Sequence, residues 1–155
     1  MHTEYEVRIL EIDSNRVIEK LKELGAEFQW DCIQKRYVYD FIPKIDGTQE
    51  LEVEVDNFER TNLILKELGF EPKGYQENRR CQYILNGVEI DIDSWPMLPT
   101  YLEIEGPSEE AVYNTLEVLG FDIGDVSTKD VEAIYLDYGY NLEEVYELKL
   151  EDDRK

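Results

Sequence analysis

Three stretches of the chain end in the same way. Leu21-Lys22-Glu23-Leu24-Gly25-Ala26-Glu27, Leu65-Lys66-Glu67-Leu68-Gly69-Phe70-Glu71 and Leu116-Glu117-Val118-Leu119-Gly120-Phe121-Asp122 follow one pattern at spacings of 44 and 51 residues. Before each glycine the apolar residues recur at helical spacing: Val17, Leu21, Leu24; then Thr61, Leu65, Leu68; then Val112, Leu116, Leu119. A glycine just past the last turn is the left-handed stop of a helix, and Ser14, Asn57 and Ser108 are the expected N-caps. The segment before each helix alternates with period two, as a strand does. Glu4, Glu6, Arg8 and Leu10 oppose Tyr5, Val7 and Ile9; Glu50, Glu52 and Glu54 oppose Leu51, Val53 and Val55; Tyr101, Glu103 and Glu105 oppose Leu102 and Ile104. A strand-then-helix unit used three times, each strand with a carboxylate-x-carboxylate face, constrains the chain to an α+β fold.

Asn86-Gly87 is the preferred pair for a two-residue hairpin turn and is flanked by alternating residues on both sides. That turn sets Arg80 opposite Asp93, Gln82 opposite Asp91 and Ile84 opposite Glu89. Trp95-Pro96-Met97-Leu98-Pro99 follows as a connecting loop, because two prolines so close cannot both sit in a central sheet. Gln34 to Phe41 reads as a further strand with Gln34, Arg36, Val38 and Asp40 on one side and Lys35, Tyr37, Tyr39 and Phe41 on the other. In the tail, Val131, Ile134 and Tyr135 have helical spacing.

Charge limits the partners. Sixteen Lys and Arg stand against 37 Asp and Glu, a formal charge of −21, which repels nucleic acid and anionic membrane surfaces at long range. With 42% apolar residues and 11 tyrosines the chain nonetheless has material for a core. No span of ~18 apolar residues and no basic-then-apolar leader is present, so a cytoplasmic protein is expected. Cys32 and Cys81 have no C-x-x-C context and are expected to be reduced packing residues. Trp30 and Trp95 are expected to pack, and His2 to be a free terminal side chain.

One carboxylate-x-carboxylate strand is most simply a wetted face. Several side by side are harder to explain that way, since two carboxylates ~5 Å apart repel by about 3 kcal/mol at an effective dielectric near 20. Converging on a cavity, Glu4, Glu6, Glu50, Glu52, Asp91, Asp93, Glu103 and Glu105 would offer the oxygen-only ligand set of a hard divalent ion. Magnesium or manganese suits it best, with calcium as competitor. Arg8 and Arg80, with Arg36 and Arg79 as further candidates, are the basic residues that would face a polyphosphate in such a cavity.

Glu4-x-Glu6-x-Arg8, Gln34, Tyr37 and Asp40, Glu50-x-Glu52, Arg79-Arg80-x-x-Tyr83, Ile92-Asp93 and Leu102-Glu103-Ile104-Glu105-Gly106 together resemble the CYTH superfamily, the triphosphate tunnel metalloenzymes, in order along most of the chain. The resemblance implies a single domain over 1–155, an antiparallel barrel or tunnel of eight strands with flanking helices, and a Mg²⁺- or Mn²⁺-dependent enzyme acting on a triphosphate-containing small molecule, as a triphosphatase or a class IV adenylyl cyclase. It implies Glu4, Glu6, Glu103 and Glu105 as metal-side carboxylates with Glu52 and Glu50 beside them, and Arg8 and Arg80, then Arg79, as phosphate contacts; the residue pattern adds Asp91 and Asp93 as supporting carboxylates and Arg36 as a further phosphate contact. The alternative is a non-catalytic module whose acidic cavity binds divalent cations or a phosphorylated ligand.

Two departures stand out. Arg8 occupies the place of the family's usual Lys, and an arginine stays protonated, so it can clamp phosphate but not act as a base. The family also has a strand pair with an R-x-R motif where this sequence has only residues 41–49. Either the pair is lost or the sequence joins across it, and the abrupt passage from Ile42 to Thr48 favours the second.

Overall fold

The computed structural model of the protein describes residues 5–39 and 55–151. Glu4, Asp40, Glu50 and Glu52, the strand expected over 50–55 and the short interval at 41–49 therefore lie outside the described residues. The elements run β1 (Tyr5–Ile9), α1 (Ser14–Glu23), β2 (Glu27–Val38), α2 (Phe58–Glu67), β3 (Gly74–Leu85), β4 (Val88–Ser94), β5 (Tyr101–Gly106), α3 (Glu109–Leu119), β6 (Val126–Ser127), α4 (Val131–Asp137) and β7 (Glu147–Leu148). One curled sheet of seven strands joins them in the order β2-β3-β4-β5-β1-β6, with β7 beside β3. All pairs are antiparallel except the short β3–β7 pair.

The helices end where the glycines predict. Gly25, Gly69 and Gly120 have φ of 75°, 89° and 86°, the left-handed region that glycine enters without a Cβ penalty. Asn57 and Ser108 cap α2 and α3 through their side chains, but α1 is capped by Asp13 and not by Ser14. Asp13 stands one residue earlier with extended backbone, so its carboxylate reaches the amides of Asn15 and Arg16.

The Asn86-Gly87 turn sets the register expected of it, with Arg80 opposite Asp93, Gln82 opposite Asp91 and Ile84 opposite Glu89. Strand β2 begins earlier than its alternation suggests, because a bulge between Phe28 and Trp30 breaks the period-two pattern at its start.

Period two now divides the sheet into two faces. Val7, Ile9, Tyr83, Leu85, Val88, Ile90, Ile92, Leu102 and Ile104 point to one side and form the main core with Val17 and Leu21 of α1 and Val112, Leu116 and Leu119 of α3. Helix α2 differs: Leu68, on its expected apolar stripe, is exposed, and Asn62 is the buried residue. This helix packs on the aromatic side of β2, where Phe58 stacks on Tyr37 and the Tyr39 hydroxyl donates to Asn62. A second cluster of Trp95, Tyr101, Tyr135 and Leu148 closes one end of the sheet. Cys32 is exposed, contrary to its expected packing role, while Cys81 packs against the main core, and both are free.

Truncating a residue at the centre of this core leaves a cavity. Ile90→Ala, at a position with 0% exposure, is expected to cost about 2–5 kcal/mol. Ile33→Ala on the exposed strand β2 is expected to change stability by less than about 0.5 kcal/mol. Urea denaturation midpoints of the two variants check the contrast.

Candidate functional site

The opposite face of the sheet is polar. From β1 through β5, β4 and β3 to β2 it presents Glu6 and Arg8; Tyr101, Glu103 and Glu105; Asp91 and Asp93; Asn78 and Arg80; and Gln34 and Arg36, aligned by Arg8↔Glu103, Glu103↔Asp91, Asp93↔Arg80 and Asn78↔Gln34. On this face Asn78, Asp91, Asp93 and Glu103 are buried. A polar face withdrawn from water in this way must satisfy its own charges.

Arg80 does most of that. Its Nε and NH2 donate to the two oxygens of Asp93 at 2.9 and 2.6 Å, NH2 also reaches Glu103 Oε1 at 2.9 Å, and NH1 lies 2.8 Å from Asp91 Oδ2. Burial alone would lower the pKa of Arg80, but the hydrogen bonds to Asp93 and the surrounding charges raise it above its ordinary value. Arg8 donates from Nε to Glu103 Oε2 at 2.8 Å and from NH1 to the Lys129 carbonyl at 2.9 Å, and it pairs with Glu6. Both oxygens of Glu103 are thus held by guanidinium groups from different strands.

Arg36 is placed differently. It donates to the Asn78 amide oxygen at 2.6 Å and to that of Gln34 at 3.2 Å, and its guanidinium lies 4.8 Å from the centre of the Trp95 ring. Among the described residues it has no carboxylate partner. Burial, reinforced by the positive charge of Arg80, lowers its pKa, so here a cation is held by neutral groups.

The carboxylates are shifted too. Burial pushes Asp91 up to about 6 against the pull of Arg80, and its Oδ1 is buried without a hydrogen-bond partner among the described residues. Burial also pushes Asp93 up, opposed by the Arg80 fork. Glu6 is raised by burial and by the charge of Glu103, with Arg8 opposing.

Of the residues expected at the site, Glu6, Arg8, Arg36, Arg80, Asp91, Asp93, Glu103 and Glu105 share this face. Arg79 does not. It points to the other side of β3 and forks onto Asp31 with two 2.8 Å hydrogen bonds, because neighbouring residues of a strand face opposite ways. Glu4, Glu50 and Glu52 lie outside the described residues. Gln34 and Tyr101 lie on the face their alternation assigned them to, but neither was expected at the site, and Asn78 was not singled out at all. Asn78 carries no motif, and its only sequence signal is the same parity as Arg80.

A hard divalent ion needs several free carboxylate or carbonyl oxygens around one point. The described residues do not offer that set: Glu103 is spent on two arginines, Glu6 is paired with Arg8, and no group of three or more His, Cys, Asp or Glu stands ready to hold a metal. As arranged here, the described part of the face is an ion-pair lattice.

The fold recurs in solved structures. A Pyrococcus horikoshii protein aligns with 83% of this chain and 96% of its own at 24% identity and a TM-score of 0.65. A conserved hypothetical protein from Pyrococcus furiosus gives 20% identity over 83% and 98%, again with a TM-score of 0.65. A putative adenylate cyclase from Vibrio parahaemolyticus gives 10% identity over 86% and 97% with a TM-score of 0.69. The chain matches no family model and no curated protein. At these identities the likeness is one of fold: an α+β arrangement of an antiparallel sheet and flanking helices. Among the described residues no helix is long and apolar enough to cross a membrane.

Because Asp91 has its pKa raised in the folded protein, its contribution to stability is present below the unfolded value near ~4 and is lost as pH rises through about 6. Asp91→Asn is expected to remove on the order of 3 kcal/mol of stability change between pH 4 and 7 relative to the unsubstituted protein. Urea titrations at stepped pH measure the difference, and a carboxyl carbon NMR titration of Asp91 is expected to show a midpoint near 6.

Proposed function

We propose that the polar face binds the phosphate chain of a triphosphate-containing small molecule. The observation that carries this reading is Arg36: its half-buried guanidinium touches the amides of Gln34 and Asn78 and the face of Trp95, and among the described residues the carboxylates of Asp93 and Glu103 act on it only from a distance. Phosphate oxygens are suited to contact it, since a guanidinium fork matches their geometry. Arg80 stands on the neighbouring strand β3, and Arg8 of β1 approaches it at Glu103, which both contact, so a phosphate chain reaching from Arg36 past Arg80 towards Glu103 would meet all three. To engage it, Arg8 and Arg80 would exchange carboxylate for phosphate partners and leave Glu6, Asp91 and Glu103 uncovered.

That exchange gives the divalent ion its place. Carboxylates outnumber guanidiniums on this face, so a bare triphosphate is repelled. An ion that arrives on the phosphates, as Mg²⁺ or Mn²⁺ does on nucleotides, restores balance, and Glu6, Glu103 and Glu105 are the described carboxylates available to it. The metal is then part of the substrate. The solved Vibrio parahaemolyticus neighbour, whose name refers to adenylate cyclase, supports an enzymatic reading.

Two reactions suit such a ligand. In hydrolysis a water oxygen bonds to the terminal phosphorus, the bridging oxygen departs, and orthophosphate and a proton are released. In cyclisation a ribose hydroxyl bonds to the α-phosphorus and pyrophosphate leaves. Either needs a group to take the proton. Asp91, with a pKa near 6 and an oxygen without a hydrogen-bond partner among the described residues, is the described carboxylate best matched to that task near neutral pH.

The second reading is a binding module without turnover. It is favoured by the ion-pair lattice itself, which leaves no preassembled metal centre among the described residues.

Calorimetric titration with magnesium tripolyphosphate tests the binding. Arg36→Gln is expected to weaken it about tenfold or more, while Arg79→Gln, on the far side of β3, leaves it unchanged. Phosphate and pyrophosphate release from ATP, thiamine triphosphate and tripolyphosphate, with and without Mg²⁺ or Mn²⁺, separates the two readings. Release of either product identifies an enzyme, and binding without release identifies a module.

A further inference from the structure

We propose that the hydroxyl of Tyr101 donates a hydrogen bond to a phosphate oxygen of the bound ligand; this rests on the phosphate-binding reading above. Tyr101 is fully buried. It lies two residues before Glu103 on β5 and opposite Asp93 of β4, so its side chain shares the polar face. Its Oη nevertheless has no hydrogen-bond partner among the described residues.

The other packed tyrosines do better. Tyr135, in the same aromatic cluster, donates to the Pro96 carbonyl at 2.7 Å, Tyr75 to Glu77 at 2.6 Å and Tyr138 to Glu11 at 2.6 Å. Tyr101 is left over because its natural acceptors are taken. The oxygens of Asp93 accept from Arg80 and Asn78, and those of Glu103 accept from Arg8 and Arg80. Charged donors outcompete a phenol for a carboxylate.

An orphaned buried donor requires an explanation, and the surroundings supply one. Tyr101 lies within the electrostatic reach of Arg8, Arg36 and Arg80 together. Trp95, beneath Arg36 and in the same cluster, also has a buried Nε1–H without a partner among the described residues. Two neutral N–H and O–H donors without acceptors, next to a guanidinium without a carboxylate contact, describe a nook short of acceptor oxygens among the described residues. A phosphoryl group supplies several. Burial and the nearby carboxylates raise the Tyr101 pKa, so the hydroxyl keeps its proton at working pH and serves as a donor only.

Tyr101→Phe removes this one atom and keeps the ring that packs on Trp95 and Tyr135. Its affinity for magnesium tripolyphosphate, read by calorimetry, is expected to fall about tenfold, with a melting temperature equal to or above that of the unsubstituted protein, since an unpaired buried hydroxyl is lost. Tyr135→Phe, which breaks a hydrogen bond to Pro96, is expected to lower the melting temperature and keep the affinity. Equal affinity for Tyr101→Phe and the unsubstituted protein, or a loss shared by Tyr135→Phe, overturns the assignment. A drop in melting temperature for Tyr101→Phe also counts against it, because it reveals a structural partner. If the unsubstituted protein does not bind tripolyphosphate, the phosphate-binding reading itself falls and takes this assignment with it.

Discussion

Arg80 reaches Asp91, Asp93 and Glu103 at once, and the arrangement of the sheet follows from what that requires. Three carboxylates on two adjacent strands can leave water only if a cation leaves with them. One guanidinium on the next strand, with five donors in a fixed fork, can serve all three. The Asn86-Gly87 turn is what sets it there, because a slip of one residue would carry Arg80 to the helix side and bring Arg79 inward. Removing Arg80 would leave Asp93 buried and uncompensated, a change that typically costs about 3–5 kcal/mol.

The same lattice bears on function. Ion pairs that satisfy one another are a closed system, and a ligand can enter only by offering better partners. Phosphate oxygens compete for guanidiniums and a divalent ion competes for carboxylates, so a metal-carrying polyphosphate is matched to both halves. Among the described residues, Arg36 and Tyr101 have no carboxylate to give up. They are the parts of the face that gain without losing.

Much of this was legible in the sequence because it depends on parity and turn chemistry. Period two assigned Glu6 and Arg8, Asp91 and Asp93, and Glu103 and Glu105 to single faces, and the type I′ turn gave the Arg80–Asp93 pairing. The left-handed glycines at 25, 69 and 120 marked the helix ends. What escaped depended on contacts between strands distant in sequence. That the register sets both Arg8 and Arg80 against Glu103 was not visible in its own strand. Arg79 entered the site through its motif, although its parity opposed Arg80. Asn78 went unseen, and Gln34 and Tyr101 were placed on their faces but not at the site, because neutral residues give no charge pattern. The bulge after Phe28 concealed the start of β2. Asp13 displaced Ser14 as a cap because either residue suits that position and only backbone geometry decides.

A crystal structure of the protein grown with magnesium tripolyphosphate tests the central claim most directly. The account predicts phosphate density on the concave face, with Arg36 and Tyr101 within hydrogen-bond distance of its oxygens and Arg80 turned away from at least one of its carboxylates. Density for the ligand on the outer surface, or a concave face still closed by the Arg8 and Arg80 ion pairs at saturating ligand, would contradict it.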